Sequence, residues 1–225
     1  MTFSISARCA STGMFGIAVC SSSPCVAARC AHVRAGVGAV ATQNITDPRL
    51  GPRGLELLAS GLPAAEALVR LKAEAKHIDY RQLALVDRTG ASAAFSGSKT
   101  LGRHRSVTGR DVVAAGNLLS RASVPERMVE AFLRLADAPL GDRLIGAMQA
   151  GLAAGGEEGP VHSAGMLLAR DVAWPVADLR IDWHETDPIG ELAGLWALWK
   201  PQMDAYVARA LDPSSAPSYG VAGDR

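Results

Sequence analysis

Thr2-Phe3-Ser4-Ile5-Ser6-Ala7-Arg8, then Ala10-Ser11-Thr12-Gly13, then Met14-Phe15-Gly16-Ile17-Ala18-Val19: alternating residues, a turn-forming cluster and a returning apolar run open the chain. Phe3, Ile5 and Ala7 recur at the period of two that a pleated strand imposes, so they share one face and the stretch reads as a half-buried strand. Residues 14–20 are its hairpin partner. A chain held in a sheet from residue 2 onward has a fixed first residue, as a catalytic group at the amino end requires.

Outward from this hairpin, Ser21-Ser22-Ser23-Pro24 breaks the second strand and begins an irregular segment that runs to Arg34. Residues 35–43 are small and apolar and read as a buried strand, with Gly36 and Gly38 permitting close approach of another backbone. They are not a phosphate loop, because the third glycine of the dinucleotide fingerprint is missing and no helix follows directly. Helical periodicity covers residues 50–60, and Pro63 opens a second helix to residue 75. Residues 80–87 and 91–96 read as strands joined by Arg88-Thr89-Gly90.

Residues 97–110 are basic and irregular, and residues 111–115 form a short strand ending in Gly116-Asn117. Helices are expected over residues 125–136 and 140–154, then a flexible loop over 155–160. Strands follow over 163–169 and 176–181, and one terminal helix over 189–211. Hairpins imply antiparallel pairing, and helices in sequential pairs suit the outer faces of two stacked sheets. The fold class is therefore mixed α/β of the α+β type, a four-layer α/β/β/α sandwich in a single domain of residues 1–211 with a loose tail at 212–225.

Composition narrows the function classes. With 48% hydrophobic and 20% charged residues in 225, the chain buries a sizeable core. Lys and Arg number 23 against 22 acidic residues, leaving no basic stripe, so no nucleic-acid partner is expected. No apolar run reaches roughly eighteen residues and no secretory pattern opens the chain, so no membrane partner is expected and the location reads as cytoplasmic. Cys9, Cys20, Cys25 and Cys30 contain no Cys-x-x-Cys pair, and Cys25, Cys30 and His32 fall short of a four-ligand zinc set. They read as reduced thiols, and neither a metal nor another cofactor is expected.

Thr2 carries the one sharp chemical signal. Its neighbour Met1 is removable when the second residue is small, which leaves threonine with a free α-amino group. That amine titrates near ~8, and it takes the hydroxyl proton directly or through a water, turning a weak nucleophile into a competent one. A threonine that merely begins a strand does none of this, and both readings stand on the sequence.

Thr2-Phe3-Ser4-Ile5, the run Arg34-Ala35-Gly36-Val37-Gly38-Ala39-Val40-Ala41-Thr42-Gln43, the run Pro48-Arg49-Leu50-Gly51-Pro52-Arg53-Gly54-Leu55-Glu56-Leu57-Leu58, Gly116-Asn117 and Asp178-Leu179-Arg180-Ile181-Asp182 together resemble the DUF1028 family. This bacterial family has no defined function, and the resemblance spans residues 1–205. It implies a fold similar to the N-terminal nucleophile (Ntn) hydrolases, the class of the proteasome β subunit, with Thr2 at the nucleophile position. Arg34, Thr42, Gln43 and Asn117 lie in the matched motifs and become candidates for substrate or oxyanion binding. Arg34 suits an anionic group, and Gln43 or Asn117 suits a developing oxyanion; alternatively, Arg34 pairs with an acid such as Asp47 and the amides satisfy loop carbonyls. The only lysines, Lys72, Lys76, Lys99 and Lys200, lie far along the chain from Thr2.

Two function classes follow. One is an amidohydrolase acting on a small-molecule amide or peptide-like substrate through Thr2. The other is a non-catalytic small-molecule binding or assembly protein on the same fold. For the second, Trp183, Trp196 and Trp199 either line a homo-oligomer interface or bury the terminal helix in its own domain.

Overall fold

The computed structural model describes residues 2–223. Thr2–Arg8 (β1) and Phe15–Ser21 (β2) form the expected hairpin, with Phe3 opposite Cys20 and Arg8 opposite Phe15. Gly13 takes the positive φ of +70° that the connecting turn needs. After Ala27–Cys30 (α1) come Ala31–Arg34 (β3) and Gly38–Asn44 (β4), then the helices Leu50–Ala59 (α2) and Ala64–Glu74 (α3). The strands Arg81–Asp87 (β5), Ser92–Ser96 (β6), Arg105–Gly109 (β7) and Val112–Asn117 (β8) precede the helix pair Val124–Arg134 (α4) and Leu140–Ala153 (α5). Ser163–Ala169 (β9), Ala177–Ile181 (β10), Pro188–Trp199 (α6) and Met203–Leu211 (α7) complete the described chain.

One sheet has the strand order β10-β9-β2-β1-β8-β7 and the other β3-β4-β5-β6, and every pairing is antiparallel. Three cores separate four layers. Phe3, Ile5 and Ala7 face Met128, Phe132, Leu144 and Met148 of α4 and α5. Phe15, Ile17 and Val19 meet Ala39, Ala41, Ala84 and Val86 between the sheets. Val40, Leu83 and Leu85 pack under Leu55, Leu58 and Leu71 of α2 and α3. The α/β/β/α sandwich is thus the architecture of the chain.

The opening strand differs from the expected half-buried one, since Thr2 through Ala7 are all buried. In a two-sheet sandwich its second face meets the other sheet rather than water, and small hydroxyl residues fill that face. Other differences are local. The irregular segment before Arg34 contains α1 and β3, and residues 35–37 form a turn at Gly36 (φ +67°) instead of starting a strand. β7 lies within the basic stretch 97–110 as the outermost strand, where exposed polar residues are tolerated. The terminal helix is two helices, because Pro201 cannot donate the backbone hydrogen bond and disfavours helix at Lys200.

Close contacts fix the layers. A Cβ on Gly38 would lie 2.4 Å from the Val86 carbonyl oxygen, so only glycine allows β4 and β5 to approach as they do. Asp87 caps α3 from outside it, accepting from Ala64 N at 2.9 Å while its other oxygen accepts from Thr89 N at 2.8 Å. From α7, Arg209 donates to the carbonyls of Pro217 and Ser218 in the C-terminal tail and stacks on Tyr219. Among the described residues, no helix is long and apolar enough to cross a membrane.

Candidate active site

β1 places Thr2 beside Asn117, the last residue of β8, on the face that looks toward the second sheet. Directly opposed residues in an antiparallel pair have Cα atoms roughly 4.5–5.5 Å apart and side chains on the same side. Ser21 ends β2 on that same face, and Thr2 Oγ1 donates to its Oγ at 3.5 Å. Ser21 Oγ lies 2.8 Å from Ser23 Oγ and accepts from Ser23 N at 3.1 Å. Ser163 Oγ donates to the Ser23 carbonyl at 2.6 Å, so the loop after β2 is held against β9. Thr2 itself is 5% exposed.

Behind Thr2 runs a row of carboxamides. Ser4 Oγ donates to Gln43 Oε1 at 2.7 Å, and Gln43 Nε2 donates to Gln82 Oε1 at 2.7 Å. Asn117 Nδ2 donates to the same Gln82 oxygen at 3.1 Å, while Gln82 Nε2 donates to Ser96 Oγ and to the Gly116 carbonyl. All three amide side chains are fully buried, and Asn117 Oδ1 is left with no hydrogen-bond partner among the described residues. A buried acceptor without a donor is costly, so it marks a position where a polar group from elsewhere is welcome.

The structure brings Thr2, Gln43 and Asn117 together and places the other two sequence candidates elsewhere. Thr42 precedes Gln43 on one strand and faces α2, where its hydroxyl donates to the Asp47 carbonyl at 3.3 Å. Arg34 is exposed at the far end of the β3–β4 hairpin, opposite Gly38, whereas Gln43 lies near the other end of β4. Asp47 pairs with Arg49 at 2.8 Å, and the hydrogen bonds from that guanidinium hold its carboxyl below the ordinary range.

Two members of the cluster carry no sequence signal of their own. Gln82 reads as one more strand residue, although a glutamine in the run Gln82-Leu83-Ala84-Leu85-Val86 is an interruption that a buried strand rarely carries without a partner. Glu157 lies in the loop after α5, bridged to Leu119 just beyond β8, and is 4% exposed. Its Oε2 accepts from Ser22 N at 3.3 Å, and its Oε1 has no hydrogen-bond partner among the described residues. Burial raises its pKa from 4.5 to about 7. The Cys20 thiol is pushed well above its usual value, first by burial and then by the Glu157 charge.

The head of β1 therefore gathers hydroxyls, carboxamides and one carboxyl that changes protonation near neutrality, the groups that nucleophilic and acid–base chemistry use. Among the described residues, no three His, Cys, Asp or Glu side chains gather into a metal site. Cavities of about 920, 520 and 350 Å³ lie at other places on the molecule, and Thr2 lines none of these three.

No curated protein matches the chain. Among solved structures, that of protein SPO2555 from Silicibacter pomeroyi, described with the same family as below, is 33% identical over 88% of each chain, with a TM-score of 0.81. Anbu (ancestral beta-subunit) from Yersinia bercovieri is 12% identical, with 91% of this chain and 97% of that one covered and a TM-score of 0.39. The model of a family of unknown function, DUF1028, matches residues 2–192, and with a match over most of its length the chain belongs to that family.

Proposed function

We propose that the chain is an amidohydrolase of the N-terminal nucleophile type, acting on a small amide or peptide-like bond with Thr2 as nucleophile. Met1, whose removal this chemistry requires, lies outside the described residues. The observation that supports the reading is the position of Thr2 at the head of a central strand, facing Asn117 and bonded to Ser21 at 3.5 Å. The freed amine takes the Oγ1 proton, Oγ1 attacks the carbonyl carbon, and the C–N bond breaks as the leaving nitrogen receives that proton. Water then cleaves the acyl-threonine ester and restores the hydroxyl.

Gln43 Nε2 and Asn117 Nδ2 each spend one hydrogen on Gln82 and retain a second for an oxyanion. Glu157, titrating at about 7, is suited to exchange a proton with the amine or the leaving group. Mass spectrometry of protein from its native host should find residue 1 removed. A β-lactone should then acylate the Thr2 peptide, and Thr2→Ala should abolish turnover of an amide panel while Thr2→Ser retains part of it. A native chain that keeps Met1 overturns the proposal.

The burial of Thr2, at 5% exposure, favours a second reading: a small-molecule binding protein that uses the sandwich without chemistry. A ligand found by thermal shift whose binding is indifferent to Thr2→Ala supports that reading and places binding away from β1's head.

A further inference from the structure

At the opposite end of β1 the chain leaves a cavity of about 920 Å³, within the range of small-molecule sites. It opens between the β1–β2 turn, the start of α5 and the α6–α7 junction. We propose that this cavity binds an organic monoanion with an extended apolar body, its head group on Arg143.

Most charges around it are paired, but the buried Arg143 is not. Arg8 Nη1 lies 2.9 Å from Asp111 Oδ1, Lys200 Nζ 3.0 Å from Asp142 Oδ2, and Asp204 Oδ1 2.8 Å from Arg170 Nη1. Arg110, whose Nε lies 3.8 Å from Asp111 Oδ2, and Asp137 are on the exposed rim. Arg143 is 8% exposed and lines the cavity, yet no carboxylate among the described residues forms an ion pair with it. Its Nε donates to the Phe132 carbonyl at 3.3 Å and its guanidinium lies 3.8 Å from the Phe132 ring centroid. The two Nη groups, with four N–H donors between them, have no hydrogen bond within the described chain.

A largely buried guanidinium that forms no ion pair is expensive: burial pulls its pKa down, and the charges of Cys9 and Asp111 offset this only in part. An anion that enters the cavity restores both the charge balance and the bidentate hydrogen bonding that guanidinium geometry favours. Apart from Ser11 and Thr12 at the turn, much of the remaining wall is apolar, with Met14, Leu133, Leu140, Leu168, Trp196 and Met203 suited to a hydrocarbon chain or ring. One unpaired cation calls for one negative charge, and a carboxylate matches the fork.

Cys9 lies in the same wall and provides an internal reporter. Burial raises its pKa, but hydrogen bonds from Ser11 and Thr12 outweigh this and hold the thiol below its usual value. A ligand seated on Arg143 covers Cys9, whereas Cys25, half-buried beside the β10 end, lies outside the cavity.

The experiment titrates decanoate into the full chain by calorimetry, with decanol as the uncharged control. One-to-one binding at least tenfold tighter for decanoate than for decanol is expected. Arg143→Met should weaken decanoate at least tenfold, with Arg143→Lys in between. In the unmutated protein, decanoate should slow iodoacetamide alkylation of Cys9 at least fivefold and leave Cys25 unchanged, a readout that does not depend on a variant folding. Equal binding of acid and alcohol, no binding, or a Cys9 rate indifferent to decanoate overturns the proposal. Thr2→Ala should bind decanoate as the unmutated chain does, so this outcome is separate from the chemistry proposed at Thr2.

Discussion

Glu157 and Glu158 are adjacent in one glycine-rich loop, yet the first is buried and the second is exposed. For Glu157 the folded state, with a pKa of about 7, binds its proton more tightly than the unfolded state does at 4.5. Its contribution is therefore fully present below pH 4.5 and lost as pH rises through about 7, where ionisation destabilises the fold by about 3 kcal/mol. Glu157→Gln should remove that slope and leave the variant more stable than the parent at pH 8. Urea midpoints at pH 5 and pH 8 test this, and parallel pH curves for the two proteins would refute it. What the sequence shows at this scale follows from strand parity. Gln43 and Thr42 are neighbours on β4 and must face opposite sides, so only one of them can look toward Thr2. Which of two neighbouring glutamates is sealed in depends on the bridge to Leu119, and no local pattern encodes that.

At the scale of elements, the strongly periodic segments were legible: β1, β2, β5, β9 and the helices α2 to α5 fall within a few residues of their sequence positions. The strands β3 and β7 were not, because four or five residues are too short for a periodic pattern to stand out and become a strand only through the neighbour they pair with. Gly38 shows the opposite case. Its need for backbone approach is readable from a small, apolar, glycine-bearing run, and the Val86 carbonyl is the atom that approaches. Because that atom is main chain and cannot swing aside, Gly38→Ala should destabilise by about 1–3 kcal/mol, in the manner of an overpacked core. Thermal unfolding measures it, and a melting temperature unchanged from the parent would show that β4 shifts without cost. Gly36 faces open space, so Gly36→Ala tests only its positive φ and should cost about 1 kcal/mol.

For the whole molecule, layer order follows from hairpins and paired helices, but the joining of β1 to β8 and of β2 to β9 links residues more than a hundred positions apart. Side-chain ties across the two sheets are invisible for the same reason, and Gln82 is the central one. It accepts from Gln43 on its own sheet and from Asn117 on the other, and donates to the Gly116 carbonyl across the gap. Gln82→Leu leaves three or more buried polar groups unpaired, at roughly 1–3 kcal/mol each before relaxation. The variant should therefore lose several kcal/mol although it adds apolar surface. Because Asn117 loses its acceptor in that variant, adding Asn117→Ala should cost less than it does in the parent, with a coupling of about 0.5–3 kcal/mol. Phe132→Leu, on the far side of the six-stranded sheet, should add to Gln82→Leu without coupling. If the Asn117 and Gln82 losses instead simply add, the Asn117–Gln82 contact does not tie the two sheets together and plays no part in positioning Thr2.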